Sequence, residues 1–339
     1  MSAVAPSTES AARAAGPVHV TLVVPCFNEE SVIEHTASAL LALLAELVVT
    51  GRAGPASGIV FVDDGSRDRT WTLIGTLAAA HPGKVAAIRL ARNMGHQHAL
   101  LAGLMLAPGE VLISLDADLQ DDIAVIPKMI DLYREGNEFV YGVREARATD
   151  SAYKRLTAAA FYRLMLGMGA DVVDNHADFR LMSRRALEAL REFGEVNLFL
   201  RGIVRLIGLR SAEVRYRRLE RHAGTTKYST LRMLALAVEG ITSFSVVPLR
   251  VISILGLATS LFAAAVSAWV LVVALTNPAA VPGWASTVLP FSFIGGIQIL
   301  SVGVLGEYIG KIYLETKRRP RYVVERVVGL PDPGAGARL

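Results

Sequence analysis

Residues 111–122 read VLISLDADLQDD: an apolar run rich in β-branched residues that ends abruptly at Asp116-Ala117-Asp118, with Gln120, Asp121 and Asp122 just behind. A strand buried on both faces of a parallel sheet has this composition, and its C-terminal end is where such a sheet opens to a ligand. Carboxylates two apart on an extended segment point the same way, so Asp116 and Asp118 are placed to reach one hard cation. Mg²⁺ and Mn²⁺ are cations of that kind, keeping some waters and taking the rest of their shell from substrate phosphates. Alone, a D-x-D is more often an acidic turn ahead of a helix. The flanking chain decides between the two.

Upstream, strand-like and helix-like runs alternate. HVTLVVP (19–25) leads through CFNEE into a helical pattern, where Asn28 is a cap candidate and Glu29 and Glu30 sit at the positive helix end. GIVFVDDGSRDRTWTLIGTLAAA (58–80) repeats the order, with Ser66 and Asp68 as cap candidates, and KVAAIRLARNMGHQHALLAGLMLA (84–107) repeats it again. This alternation predicts an α/β domain with a mainly parallel sheet. Ligands of such sheets gather at the strands' C-terminal ends, here Pro25–Glu30, Asp63–Asp68, Arg92–His96 and Asp116–Asp122. No G-x-G-x-x-G follows any of these strands, which argues against a dinucleotide oxidoreductase.

Residues 123–228 are less regular and rich in arginine. FVYGVREAR (139–147) reads as a further strand leaving Arg144 and Arg147 at its mouth, and SAYKRLTAAAFYRLMLG (151–167) as a helix. Carboxylates in the first half and forked guanidinium groups in the second suit a site that joins a metal-bound nucleotide to a second anion. His96, His98 and His176 are too scattered for a zinc set and take ordinary polar roles.

From Leu231 the periodicity changes. Leu231, Leu234, Ala235, Val238 and Ile241 fall at helical spacing opposite Arg232 and Glu239, which predicts an amphipathic helix over 229–247 lying at a bilayer surface. Two apolar runs follow, about 249–275 and 287–310, each long enough for roughly 30 Å of hydrocarbon, within a transmembrane region of 248–314. Their connection is uncharged, whereas Arg250, Lys311 and Lys317–Arg321 flank the outer ends, so the positive-inside rule places both ends and the main domain in the cytoplasm. Residues 315–339 read as a basic cytoplasmic tail and 1–17 as a disordered Ala/Ser/Pro tail without a signal-peptide core, leaving 18–228 as the catalytic domain. The hydrophobic content of 52% agrees with a membrane-embedded part, and the near absence of intramembrane charge excludes a transporter. The net charge of +4 is local and carries no nucleic-acid reader motif. The single cysteine, Cys26, excludes an intrachain disulfide and is a buried filler at a strand end.

VPCFNEE (24–30), VDDGSRDRT (62–70), RNMGHQHALLAG (92–103) and LDADLQDD (115–122) resemble a family 2 glycosyltransferase of the GT-A fold, a Rossmann-like arrangement. YGVREAR, DFRLMSR, FLRGIVRLIG, RHAGTTKYS, FSVVPLR and GEYIGKIYLETKRRPRY narrow the resemblance to the polyprenyl-phosphate glycosyltransferases, the group of bactoprenol glucosyltransferase and dolichol-phosphate mannose synthase. The two-span end is nearest the bactoprenol branch, and the likeness covers about 18–326. Asp121-Asp122, where a proline often follows, and Thr225-Thr226, where Glu-Ser is common, depart from the pattern without removing a ligand.

The resemblance implies that Pro25, Phe27, Glu29 and Asp64 line the pocket for the donor's base and ribose. It implies that Asp116 and Asp118 contact the donor and, with Gln120, hold a Mg²⁺ or Mn²⁺ bridging its diphosphate. Arg144, and with it Arg147, Lys154 and Arg155, would meet acceptor or leaving phosphates; Asp178 and Arg180 would lie by the reacting centre, Arg180 also meeting the acceptor phosphate; and Arg201, Arg218, Arg221 and Lys227 would face a lipid phosphate. Asp118, Asp178 and Arg144 form the expected catalytic set, with Asp178 either a positioning group or a base; alternatively Asp178 caps a helix over 179–190. The implied reaction is inverting transfer of a hexose, by default from UDP-glucose, to polyprenyl (undecaprenyl) phosphate on the cytoplasmic face of the plasma membrane, by a homo-oligomer, a tetramer. A phosphate oxygen whose second pKa is near 6 is already an anion at neutral pH, so a general base is dispensable. The alternatives are a polysaccharide or glycolipid acceptor, or a non-catalytic membrane scaffold.

Overall fold

The computed structural model describes residues 16–145, 176–195, 200–217, 247–276 and 284–330. These fall into two units: the described residues up to 217 together with 319–330, and those between 247 and 318.

The first unit carries an eight-stranded sheet. In chain order its elements are β1 (Val20–Cys26), α1 (Ile33–Val49), β2 (Gly58–Asp63), α2 (Thr70–Ala80), β3 (Val85–Leu90), α3 (His96–Leu106), β4 (Val111–Ser114), α4 (Ile126–Arg134), β5 (Phe139–Arg144), β6 (His176–Ser183), α5 (Arg184–Arg191), α6 (Leu200–Leu206), β7 (Ser211–Tyr216) and β8 (Val324–Val328). The spatial order is β7-β5-β6-β4-β1-β2-β3-β8. β1 pairs parallel with β2 and β4, β2 with β3, and β5 with β7. β6 runs antiparallel to both β4 and β5, and β8 antiparallel to β3. Because β6 alone reverses between β4 and β5, the C-terminal ends of β1 to β5 and β7 share one edge of the sheet with the N-terminal end of β6. That edge gathers the residues discussed below. The α/β, mainly parallel architecture expected from the sequence is the one found.

The apolar runs form these strands because both faces are covered. Every residue of β1 and of β4 is buried, as a central parallel strand requires. α1 turns Ile33, Ala37, Leu40, Leu44 and Leu47 inward at helical spacing, and each of the leucine and isoleucine side chains contributes about 2 kcal/mol when removed from water. α3 crosses the sheet closely at Gly103, where an added Cβ would come within 2.4 Å of Val23 Cγ1 and 2.7 Å of Val62 Cγ2.

Several local expectations give way to tertiary partners. α1 begins at Ile33, and Asn28 does not cap it: Asn28 sits at φ +56° and its Oδ1 accepts from the Arg67 N–H at 2.9 Å. Ser66 accepts from the Asn28 N–H in place of capping α2, whereas Asp68 does receive the Thr70 N–H at the start of that helix. Residues 179–183 are strand and not helix, so Asp178 lies inside β6 and Ser183 caps α5 by accepting from the Ala186 N–H. Part of the segment read as a tail is β8, an edge strand.

In the second unit, α7 (Val247–Thr276) and α8 (Trp284–Thr316) cover the two apolar runs. Among the described residues one helical stretch, Phe293–Thr316, is long and apolar enough to cross a membrane; Val247–Thr259 is a shorter apolar piece. The expected helices over 151–167 and 229–247, and Arg147, Lys154, Arg155, Arg218, Arg221 and Lys227, lie outside the described residues, as does the Arg201 side chain on α6.

Candidate active site

The loops after β1, β2 and β3 are stitched together by hydrogen bonds that explain their polar composition. The Asp64 N–H donates to the Cys26 carbonyl at 2.9 Å, fixing the second loop beside the first. The Glu29 N–H donates to Thr70 Oγ1 at 2.8 Å, the Glu30 N–H to Asp68 Oδ2 at 3.2 Å, and the Arg69 N–H back to Glu30 Oε2 at 3.1 Å. Asp64, which is 2% exposed, turns its carboxylate to the third loop and accepts the Met94 and Gly95 N–H groups at 2.7 and 2.8 Å. Burial pushes its carboxyl up, and those two donors work against the shift. Gly65 is glycine for two reasons: its φ is +69°, and a Cβ there would lie 2.8 Å from the Arg92 carbonyl carbon. Of the residues expected to line a nucleotide pocket, Pro25 lies next to last in β1 and is buried, Phe27 is exposed, and Glu29 and Asp64 belong to the stitched loops. Asp64 is thereby the clamp of the 92–95 loop, a role its sequence position did not reveal.

β4 ends at Ser114, and Ala117 and Asp118 form a turn with Leu119 at φ +47°. The simple picture of two carboxylates on one extended strand is therefore replaced by a turn that presents them from different backbone positions. Thr36 anchors the turn by donating to the Ala117 carbonyl at 2.5 Å, and Asp118 Oδ1 accepts from the Gln120 N–H at 3.3 Å. His96, at the start of α3, points Nε2 to Asp116 Oδ1 at 3.7 Å and to Asp178 Oδ2 at 3.5 Å. Burial raises the Asp116 carboxyl; His96 opposes that, and Asp121, Asp178 and Asp118 add to it. Negative charge is thus concentrated where a cation would be welcome. Among the described residues no three His, Cys, Asp or Glu side chains group closely enough to chelate an ion by themselves. Asp116, Asp118 and the amide oxygen of Gln120 would leave most of a shell to water and to phosphate oxygens, which fits Mg²⁺ or Mn²⁺ better than a caged structural metal.

Arg144 is the last residue of β5, at the same edge of the sheet. Its Nε and Nη2 donate to Asp121 Oδ1 at 3.2 and 2.9 Å, and its Nε also to Tyr216 Oη at 3.2 Å. Burial alone would lower the guanidinium's pKa, but Asp121 and then Tyr216 push it above the usual arginine range. The phenol of Tyr216 is raised as well, by burial first and then by Asp121. Arg180 is wholly buried on β6, with Nη2 donating to Asp178 Oδ1 at 2.5 Å. Its burial is at odds with direct contact to an acceptor phosphate and makes it the group that orients Asp178. One edge of the sheet thus carries Asp116, Asp118, Gln120, Asp178 and Arg144 together with His96, Asp121 and Tyr216. His96 stood in a quoted motif at a strand end, which was signal enough. Tyr216 carried no motif; only the β5–β7 pairing, with Arg144 opposite Tyr216, delivers it.

A mainly parallel sheet with an acidic turn after its central strand and stitched polar loops at one edge is the architecture of a nucleotide-sugar transferase. The family model "Glycosyl transferase family 2" matches residues 21–191. The "Uncharacterized glycosyltransferase YkoT" of Bacillus subtilis (strain 168) is 49% identical over 311 residues, 90% of this chain and 91% of that protein. The "Prophage bactoprenol glucosyl transferase homolog" of Escherichia coli (strain K12) is 41% identical over 312 residues, 91% of this chain and 99% of that protein. The bactoprenol glucosyl transferase of Shigella phage SfX is 40% identical over 310 residues, 90% and 98% of the two chains. The chain belongs to glycosyl transferase family 2, and it is a glycosyltransferase of the GT-A fold.

Proposed function

We propose that this enzyme transfers a hexose from a nucleotide sugar, UDP-glucose, to a polyprenyl phosphate at the cytoplasmic face of the membrane, with inversion at the anomeric carbon. One observation carries the reading: at one sheet edge, Asp116 and Asp118 in the turn after β4 and Asp178 at the start of β6 are joined by Arg144 at the end of β5. A diphosphate leaving group held by a cation and an anionic acceptor require that division of charge. The names of the relatives support the lipid acceptor, and the apolar helix Phe293–Thr316 supports membrane attachment. Two spans with both ends in the cytoplasm, and assembly as a homotetramer, belong to the same reading.

Asp116, Asp118 and Gln120 would hold Mg²⁺ or Mn²⁺, which supplies charge neutralisation for the departing nucleoside diphosphate. Phe27, Glu29 and the stitched loops would receive the base and ribose. The acceptor phosphate attacks the anomeric carbon from the face opposite the leaving group, and Arg144 donates to its oxygens. Asp178 is engaged by Arg180 and faces His96, an arrangement that favours positioning over proton removal. The attacking phosphate is already anionic at neutral pH, so no proton need be taken.

The test is transfer by the detergent-purified full chain, offered radiolabelled UDP- and GDP-sugars with polyprenyl phosphate and Mn²⁺ or Mg²⁺, with and without EDTA. Label moving from UDP-glucose into the lipid fraction, and only with metal, is the expected result. Label from another donor corrects the sugar alone. No lipid product from any donor, while nucleotide still binds, sinks the lipid acceptor and points to a polysaccharide.

A further inference from the structure

Arg144 does not stand alone at the end of β5. Nε and Nη2, one edge of its guanidinium, both meet a single atom, Asp121 Oδ1, at 3.2 and 2.9 Å, and the Tyr216 hydroxyl donates to that same oxygen. The Asp121 side chain is 3% exposed while that of Arg144 is 27% exposed, so the arrangement is buried at its base and open at its tip. The parts come from the loop after β4, from β5 and from β7. The ring of Tyr216 is braced in turn by Phe179, edge to face at 5.4 Å, beside Asp178 on β6.

A buried ion pair is a poor device for stability, because desolvation of both charges offsets most of their attraction. It is a good device for direction. With Nε and Nη2 engaged by Asp121, the guanidinium is held in one orientation, and among the described residues no hydrogen bond uses Nη1, which is left to serve a ligand. Asp121 also cancels the guanidinium's net charge, so Arg144 works through geometry more than through bulk attraction. We infer that Asp121 and Tyr216 are positioning residues that aim Arg144 at the anionic acceptor. The inference rests on the reading above, in which Arg144 meets the acceptor phosphate. Asp121 lies one residue beyond the Asp116–Gln120 segment; its hydrogen bonds go to Arg144 and Tyr216, while its negative charge also acts on Asp116.

The test uses the full chain in detergent, with Tyr216→Phe, Asp121→Asn, Asp121→Ala and Arg144→Ala, and with Asp121→Asn and Tyr216→Phe each combined with Arg144→Ala. Transfer is followed against acceptor concentration at saturating donor, UDP affinity is titrated in Mn²⁺, and thermal unfolding reports the fold. Tyr216→Phe removes one hydroxyl and should lower kcat/KM for the acceptor about 5-fold. Asp121→Ala should lower it about 100-fold, with Asp121→Asn recovering about 10-fold of that loss because its amide oxygen still accepts. UDP affinity should stay within about 2-fold throughout, and in the Arg144→Ala background neither Asp121→Asn nor Tyr216→Phe should cost anything further. Losses that multiply fully with Arg144→Ala, or UDP affinity falling in step with acceptor kinetics, would overturn the proposal while leaving the acceptor reading intact. Arg144→Ala with unchanged acceptor kinetics would sink that reading first, and the proposal with it.

Discussion

Gly65 and Cys26 show how much a single position can encode. Gly65 is held at φ +69° against the backbone of Arg92 and Asn93. Gly65→Ala should therefore cost about 2 kcal/mol or more, read as a lower denaturant midpoint, and should weaken UDP binding because the Asp64 clamp on residues 94–95 moves with it. Cys26 is fully enclosed at the end of β1; burial first, then Glu29 and Asp63, push its thiol well above the ordinary range. A raised thiol pKa means less thiolate at any given pH. Ellman's reagent at pH 8 should therefore leave the folded chain unreacted and modify it fully in guanidinium. Replacing both Asp116 and Asp118 by Asn should lower metal-dependent transfer about 100-fold or more, with the thermal midpoint retained, because both side chains are only part-buried and lie outside the apolar core. A transfer rate within 3-fold of the parent would remove them from the machinery.

At the scale of elements, β6 and β8 are the instructive cases. β6 carries a helix-compatible sequence, HADFRLMS, but its register between β4 and β5 supplies hydrogen bonds on both edges and buries Phe179 and Leu181 completely. Pairing partners far along the chain outweigh local preference there. β8 closes the opposite end: Val328, Val327, Arg326 and Val324 pair with Ala87, Ile88, Arg89 and Leu90. Arg89 on β3 lies between Asp63 at 3.4 Å and Glu325 of the added strand at 3.4 Å and stacks over Trp71 at 5.6 Å, so β8 is tied to β3 by an ion pair as well as by its ladder. Ending the chain after Tyr322 should destabilise the first unit by roughly 3 kcal/mol, from about four ladder positions at 0.5–1.5 kcal/mol each. It should also expose the β3 edge to aggregation. Urea unfolding followed by tryptophan fluorescence, with light scattering alongside, checks both expectations.

For the molecule as a whole, the sheet unit and the helical unit answer to different solvents. The first buries its apolar residues against itself, whereas α8 leaves Phe291, Ile299 and Val302 at 80%, 78% and 67% exposure. Apolar surface of that extent on one helix is consistent with the membrane attachment proposed above. Ile299→Arg together with Val302→Arg should cost about 2.5–3.5 kcal/mol per arginine at a bilayer centre. The chain should then shift from the carbonate-washed membrane pellet toward the supernatant. Retention equal to the parent would show that α8 does not sit in hydrocarbon.

The sequence by itself determined the class of sheet, the strand ends that would carry the chemistry and the two apolar runs, because burial on both faces leaves an unbroken apolar signature and a polar strand end interrupts it. It also marked Asp116, Asp118 and Arg144, whose residue types at strand ends are chemically informative without any contact map. Only the tertiary structure decided that Asp178 lies in a strand, that Arg180 is a buried orienting group, that Asp64 clamps a loop and that Asp121, Arg144 and Tyr216 form one assembly. The last of these depends on partners 23 to 95 residues apart. Such pairings are chosen by sheet order and by the requirement that every buried charge find a counterpart, and neither leaves a periodic trace along the chain.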